Sequence, residues 1–290
     1  MTYPAGPPEP TAALPACARH PDRPTGLRCT RCGRPACPEC LRDAAVGQQC
    51  VDCVYQGGRG VRRGRTVVGA EPGGRPLVVP VLVALNVALY VFTAAQARSI
   101  GSNEAAPLFR EWVLVPGLVA GGDWWRPLTA GFLHYGPLHL VFNMLALWVI
   151  GRELEPVLGR VRFLAVYLVS LLGGAAAVML LSPPASLVAG ASGAVFGLMG
   201  ALFVIARRLR VPTGQVVGLV VVNLVLSVVV PGISLVGHLG GLVVGAAATV
   251  ALVHVPNVRN RTALQTGALV VLTVVVLTVI AGRAAAVAFV

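Results

Sequence analysis

Gly190-Ala191-Ser192-Gly193 stands at the head of an apolar run, residues 191–206, that suits no environment but a lipid bilayer. A hydroxyl at membrane depth is costly, and polar side chains there mark functional sites by default. A second apolar run, residues 233–254, carries the single imidazole of His238, and a third, residues 137–151, carries His139 and Asn143 one helical turn apart. Serine, histidine and two further hydrogen-bond donors are the components of a serine hydrolase.

Composition agrees with a bilayer. The chain has 290 residues, 56% hydrophobic and 12% charged, with a mean hydropathy of +0.78, far more apolar than a soluble domain of this length. Seven apolar segments, roughly 77–96, 137–151, 161–181, 191–206, 214–231, 233–254 and 264–282, read as membrane helices, so the fold class is an all-α membrane protein. The loop at 98–136 mixes charge with Trp112, Trp124 and Trp125 and suits the membrane interface.

The net charge of +12 is carried by arginine alone, and eleven of the 23 arginines precede residue 76. Arginine beside apolar spans fits the positive-inside rule and contact with anionic headgroups; no nucleic-acid partner is expected. With a cytosolic N-terminus, the inner flanks carry thirteen arginines (Arg59, Arg62, Arg63, Arg65, Arg75, Arg152, Arg160, Arg162, Arg207, Arg208, Arg210, Arg259, Arg261) and the outer only Arg98, Arg110, Arg126 and Arg283. This predicts a multi-pass protein of the cell membrane with Ser192 and the start of the sixth helix near the outer face.

The first 56 residues differ in kind. Four pairs, Cys17-x2-His20, Cys29-x2-Cys32, Cys37-x2-Cys40 and Cys50-x2-Cys53, supply eight ligands, the complement of two tetrahedral zinc ions. So short a segment cannot bury a full core, and metal would supply most of its folding free energy. The alternative, a disulfide framework, sits poorly with seven cysteines and a cytosolic placement. The spacing between pairs resembles B-box-type zinc fingers, which implies alternate pairing: first with third, second with fourth. A cytosolic protein or anionic lipid is the expected partner of this module.

Trp125-Arg126, His139-x3-Asn143, Gly190-Ala191-Ser192-Gly193 and His238-x2-Gly241-x3-Gly245, in that order and on those helices, resemble the rhomboid intramembrane serine proteases. The resemblance covers residues 77–255. It implies a rhomboid-like six-helix bundle with a water-accessible cavity, and cleavage of the transmembrane segments of single-span proteins in the bilayer. The seventh helix resembles the extra C-terminal span of some members. The expected domains are thus a double-zinc module at 1–56, a Gly/Arg-rich linker at 57–76, the core at 77–255 and a final helix with a short tail at 256–290.

Ser192 begins a helix, where free backbone N–H groups favour negative charge, so its own amide can help hold an oxyanion. The i, i+4 spacing stacks His139 and Asn143 on one helix face. The resemblance implies that these two complete the oxyanion hole and that His238 is the general base. No carboxylate lies in the spans bearing these groups, which predicts a Ser-His dyad with no catalytic cofactor; Glu153 and Glu155 fall on the cytosolic side. Phe196, one turn after Ser192, is placed to stack on His238, as an aromatic does in the family. Gly193-x3-Gly197 and Gly241-x3-Gly245 suit close helix packing, with Gly190 beside the serine. Arg126 is expected to pin the first loop, and Asn86 and Asn223 to bond between helices. Two other classes stay open: a catalytically silent scaffold that binds membrane helices, and a transporter, which lacks an intramembrane carboxylate for ion coupling.

Overall fold

The computed structural model describes residues 13–59, 64–71, 74–230 and 232–288; Arg62 and Arg63 of the arginine cluster lie outside them. The chain divides into two compact units, Met1–Arg63 and Gly64–Val290.

In the first unit a 3-10 turn at Pro38–Cys40 leads into β1 (Leu41–Asp43), which pairs antiparallel with β2 (Gln48–Cys50), followed by α1 (Val51–Arg59). Its buried cluster consists of six cysteines with only Ala36 and Leu41 for company. Two such small apolar side chains cannot offset the entropy of ordering the segment, so the cysteine clusters must hold it.

The second unit is helical: α2 (Val78–Ala97), α3 (Pro107–Trp112), α4 (Pro116–Ala120), α5 (Arg126–Thr129), α6 (Gly136–Leu158), α7 (Arg160–Leu181), α8 (Ser192–Leu209), α9 (Gly214–Val229), α10 (Leu235–Val253) and α11 (Arg261–Ala288). Among the described residues five helices, α2, α7, α8, α10 and α11, are long and apolar enough to cross a membrane. A sixth crossing is made by α6 if it is joined to residues Arg126–Phe132, from which it bends by 92°. The bend falls where Gly136, at φ +68°, takes a left-handed conformation that a side chain would strain, and Pro137 then opens α6. The fifth expected span forms only the 16 residues of α9, about 24 Å at the helical rise and short of a full hydrocarbon core.

Helix α10 packs closely on α8 and α7, with α2 and α6 on one side and α11 against α7 and α4. Methyl groups at Gly241 and Gly245 would overlap the carbonyl oxygens of Gly193 and Gly197, so the α8–α10 approach requires glycine at both. Apolar side chains such as Val222, Val271 and Leu277 remain exposed, as a lipid-facing surface demands.

Glu155 lies inside α6, buried, where it accepts the backbone N–H groups of Leu77 (2.7 Å), Val78 (3.0 Å) and Val79 (2.9 Å) at the start of α2. Within residues 57–76, Val68 is fully buried in the helical unit, its carbonyl accepting from Gln265 Nε2 at 3.0 Å. Asn86 and Asn223, expected to bond between helices, instead donate to Leu82 and Leu219 of their own helices at 2.7 and 2.8 Å. A short amide reaches the carbonyl four residues back without needing a partner helix, and that local bond wins.

Candidate active site

The loop between α2 and α6 forms one wall of a cavity and is held by buried bonds. Arg126 meets Asp123 at 2.7 Å and donates to the carbonyls of Arg110 and Val113 at 2.8 and 2.9 Å. Leu114 and Val188 exchange backbone bonds of 3.1 and 3.0 Å, tying this loop to the segment that leads into Ser192. Trp124 and Trp125 stay exposed, as interfacial indoles do.

Ser192 is the first residue of α8, so its helix presents unpaired N–H groups at the cavity. Gly190 precedes it at φ +134°, and a Cβ there would sit 3.0 Å from His139 Nε2 and 3.5 Å from Ser192 Oγ. The missing side chain therefore leaves a space that both the His139 ring and the Ser192 hydroxyl border. His139 Nδ1 receives the backbone N–H of Tyr135 at 3.2 Å. A backbone N–H can only donate, so Nδ1 holds the lone pair and Nε2 carries the proton, beside the space that Ser192 Oγ also borders. Asn143, buried on the same helix, gives one amide hydrogen to the His139 carbonyl at 2.9 Å and keeps its second.

Ser192 and His238 line the same cavity, with Gly190, Gly193 and Gly237. His238 is buried near the start of α10 and stacks on Phe196, ring centroids 4.1 Å apart and planes 15° from parallel. Among the described residues no hydrogen bond of 3.5 Å or less joins Ser192 to His238; such bonds in substrate-free enzymes are often long and tighten on binding. Among the described residues no carboxylate is hydrogen-bonded to the ring: Asp123 of the loop is paired with Arg126, and Glu155 is sixteen residues beyond His139 on α6, roughly 24 Å along the helix.

One polar neighbour of His238 escaped the sequence reading. Ser227 of α9, buried, has its Oγ 2.6 Å from His238 Nδ1 and donates to the Asn223 carbonyl at 2.7 Å. Its signal in the sequence is slight: a lone serine in an apolar run, eleven residues before the histidine and across a turn.

In the first unit, Cys17, His20, Cys37 and Cys40 form one group and Cys29, Cys32, Cys50 and Cys53 another, the ligand atoms within each group lying within 4.8 Å of one another. The pairs alternate along the chain as the B-box resemblance implied. All seven cysteines are free, so no disulfide framework forms. Backbone N–H bonds, chiefly from Cys37 and Cys50 respectively, bring the Cys17 and Cys29 thiols down to about 6, ready to ligate as thiolates. Burial raises Cys40 to about 11, and the hydrogen bond to Cys32 with burial raises Cys53 to about 12. Each group could hold a metal ion, which would displace the remaining thiol protons.

Residues 121–255 match the family model of the rhomboid domain. The rhomboid protease GluP of Bacillus subtilis is 35% identical over 193 residues, which cover 65% of this chain and 37% of GluP. The putative rhomboid protease YdcA of the same organism is 34% identical over 172 residues, 57% of this chain and 83% of YdcA. The rhomboid protease AarA of Providencia stuartii is 28% identical over 210 residues, 61% of this chain and 72% of AarA. The chain thus spans little more than a third of GluP's length but most of YdcA's.

Proposed function

We propose that this chain, which belongs to the rhomboid family, is an intramembrane serine endopeptidase that uses a Ser192–His238 dyad to cut the transmembrane segments of single-span proteins. The reading rests on one arrangement: a serine hydroxyl and a buried imidazole lining one cavity, with the Nε2 of a second imidazole bordering the same space beside Gly190. His238 Nε2 takes the Ser192 proton as Oγ attacks the scissile carbonyl, then delivers it to the leaving amine as the C–N bond breaks. Water entering the cavity hydrolyses the acyl-enzyme by the same route in reverse. The Ser192 amide, His139 Nε2 and the free Asn143 amide hydrogen hold the oxyanion. Substrate helices weakened by glycine, alanine or proline near the outer face are favoured, since backbone bonds must open before attack. A fluorophosphonate probe should label wild-type protein at Ser192 and leave Ser192→Ala unlabelled; an unreactive wild type would point to a silent helix-binding scaffold.

Removing one oxyanion donor should be costly in the transition state alone. His139→Ala and Asn143→Ala are each expected to lower kcat roughly a hundredfold or more, with KM little changed, in a proteoliposome cleavage assay. Loss confined to KM would remove them from the oxyanion hole.

The metal in the N-terminal module is read as zinc, two structural ions per chain. At a zinc–sulfur distance of about 2.3 Å, the edges of a tetrahedral site measure about 3.8 Å. Cys32 and Cys50 sulfurs lie 3.8 Å apart, and His20 Nδ1 lies 3.4 Å from the sulfurs of Cys37 and Cys40. Zinc fits this donor set because borderline N/S ligands in a closed four-coordinate site suit a structural role. Elemental analysis of the whole protein should return two zinc ions per chain, with affinity falling as pH drops because protons compete for the thiolates. A strong chelator should make the first unit protease-sensitive; unchanged digestion after zinc removal would overturn the structural role. Its partner is read as a cytosolic protein or anionic lipid, and the arginine distribution supports a cytosolic N-terminus with the cavity toward the outer face.

A further inference from the structure

A histidine that acts through Nε2 must keep its proton on Nδ1, and in a triad a carboxylate enforces this. Among the described residues no carboxylate bonds to His238, yet its Nδ1 is not free. It lies 2.6 Å from the hydroxyl of Ser227. A serine has one hydrogen to give, and Ser227 gives it to the Asn223 carbonyl at 2.7 Å, four residues back in α9. What remains on Oγ is lone pairs, so the bond to the ring runs from Nδ1–H to Oγ.

We propose that Ser227 is a positioning residue that holds His238 in the Nδ1-protonated tautomer, leaving the Nε2 lone pair facing Ser192. The Asn223 carbonyl polarises the hydroxyl, making its oxygen a better acceptor. Phe196 fixes the plane of the ring by stacking, and Ser227 fixes its rotation within that plane. The two histidines of the site are thereby set oppositely: His139, receiving at Nδ1, donates from Nε2, whereas His238, donating from Nδ1, accepts at Nε2. Ser227 is also the one buried residue of α9, whose other described side chains are exposed or half-buried. Val220 and Leu224 pack α9 on the core beside it, so the Ser227 hydroxyl is not needed to seat the helix and its bond to His238 is a polar contact added to an apolar one.

The proposal rests on the protease reading for its catalytic consequence but not for its geometry, and the test separates the two. Ser227→Thr and Ser227→Val introduce side chains of equal size that differ by one hydroxyl. In full-length protein labelled with 15N-histidine, the His238 ring, assigned by its loss in His238→Asn, should show protonated Nδ1 in wild type and Ser227→Thr. In Ser227→Val that preference should be lost. In proteoliposomes, kcat should fall roughly tenfold to a hundredfold in Ser227→Val with KM unchanged, and Ser227→Thr should stay near wild type. A wild-type His238 protonated at Nε2, or Thr and Val variants alike in both readouts, would overturn the proposal. A tautomer that responds as expected in a protein without Ser192-dependent cleavage would strike the protease reading and leave the Ser227 contact standing.

Discussion

Ser192→Ala and His238→Ala should each lower cleavage of a model single-span substrate in proteoliposomes by at least roughly a thousandfold. The magnitude follows from the chemistry assigned to them. Without the hydroxyl there is no covalent intermediate, and without the imidazole no carboxylate stands in for it, because among the described residues none lines the cavity and Asp123 in the loop beside it is paired with Arg126. The double variant should be no worse than either single one, since two residues that perform one step fail together. Both proteins should still insert and fold: the α8–α10 contact depends on the glycine backbones rather than on these side chains. Cleavage near the wild-type rate in either variant, measured with equal amounts of folded protein, would refute the dyad.

The second large effect concerns stability. Glu155 receives three backbone N–H groups at the start of α2, a cap supplied from another helix 76 to 78 residues away. Leu77 has no side-chain cap of its own to offer. Replacement by alanine would leave those donors without partners where Val79 is fully buried, and would remove a negative charge from the positive end of the helix. Hydrogen bonds to charged groups contribute about 1.5–3 kcal/mol each, so the loss of three, partly made up by water at the exposed edge, should cost roughly 3 kcal/mol or more. Glu155→Ala should therefore unfold at markedly lower temperature in detergent, and Glu155→Gln, which keeps the volume but replaces one acceptor oxygen by a donor, should fall between. Midpoints equal to wild type in both would show that the cap does not stabilise the fold.

The readable features of this chain were local ones. Apolar run length marks membrane helices because lipid offers no partner for an open backbone, and the x2 spacing of cysteine pairs marks ligands because one ion takes both. The i, i+4 step of His139 and Asn143 stacks them on one face whatever surrounds the helix. Where local marks were ambiguous, neighbours decided. Asn86 and Asn223 look alike in sequence to residues that bond across helices, but each found a carbonyl one turn back. Segment 214–231 read as a full span, yet α9 is shorter than the hydrocarbon core.

From the residues alone came a bilayer-embedded helical chain, its ligand pairs, and a serine at a helix start whose own amide faces outward; each follows from periodicity or spacing within about twenty positions. Only the packed fold decided that Ser227 meets His238, that Glu155 caps α2, and that Val68 joins the helical core. Those contacts join segments whose approach depends on how helices cross, and a hydrogen bond between distant turns leaves no repeat in either strand of sequence to announce it.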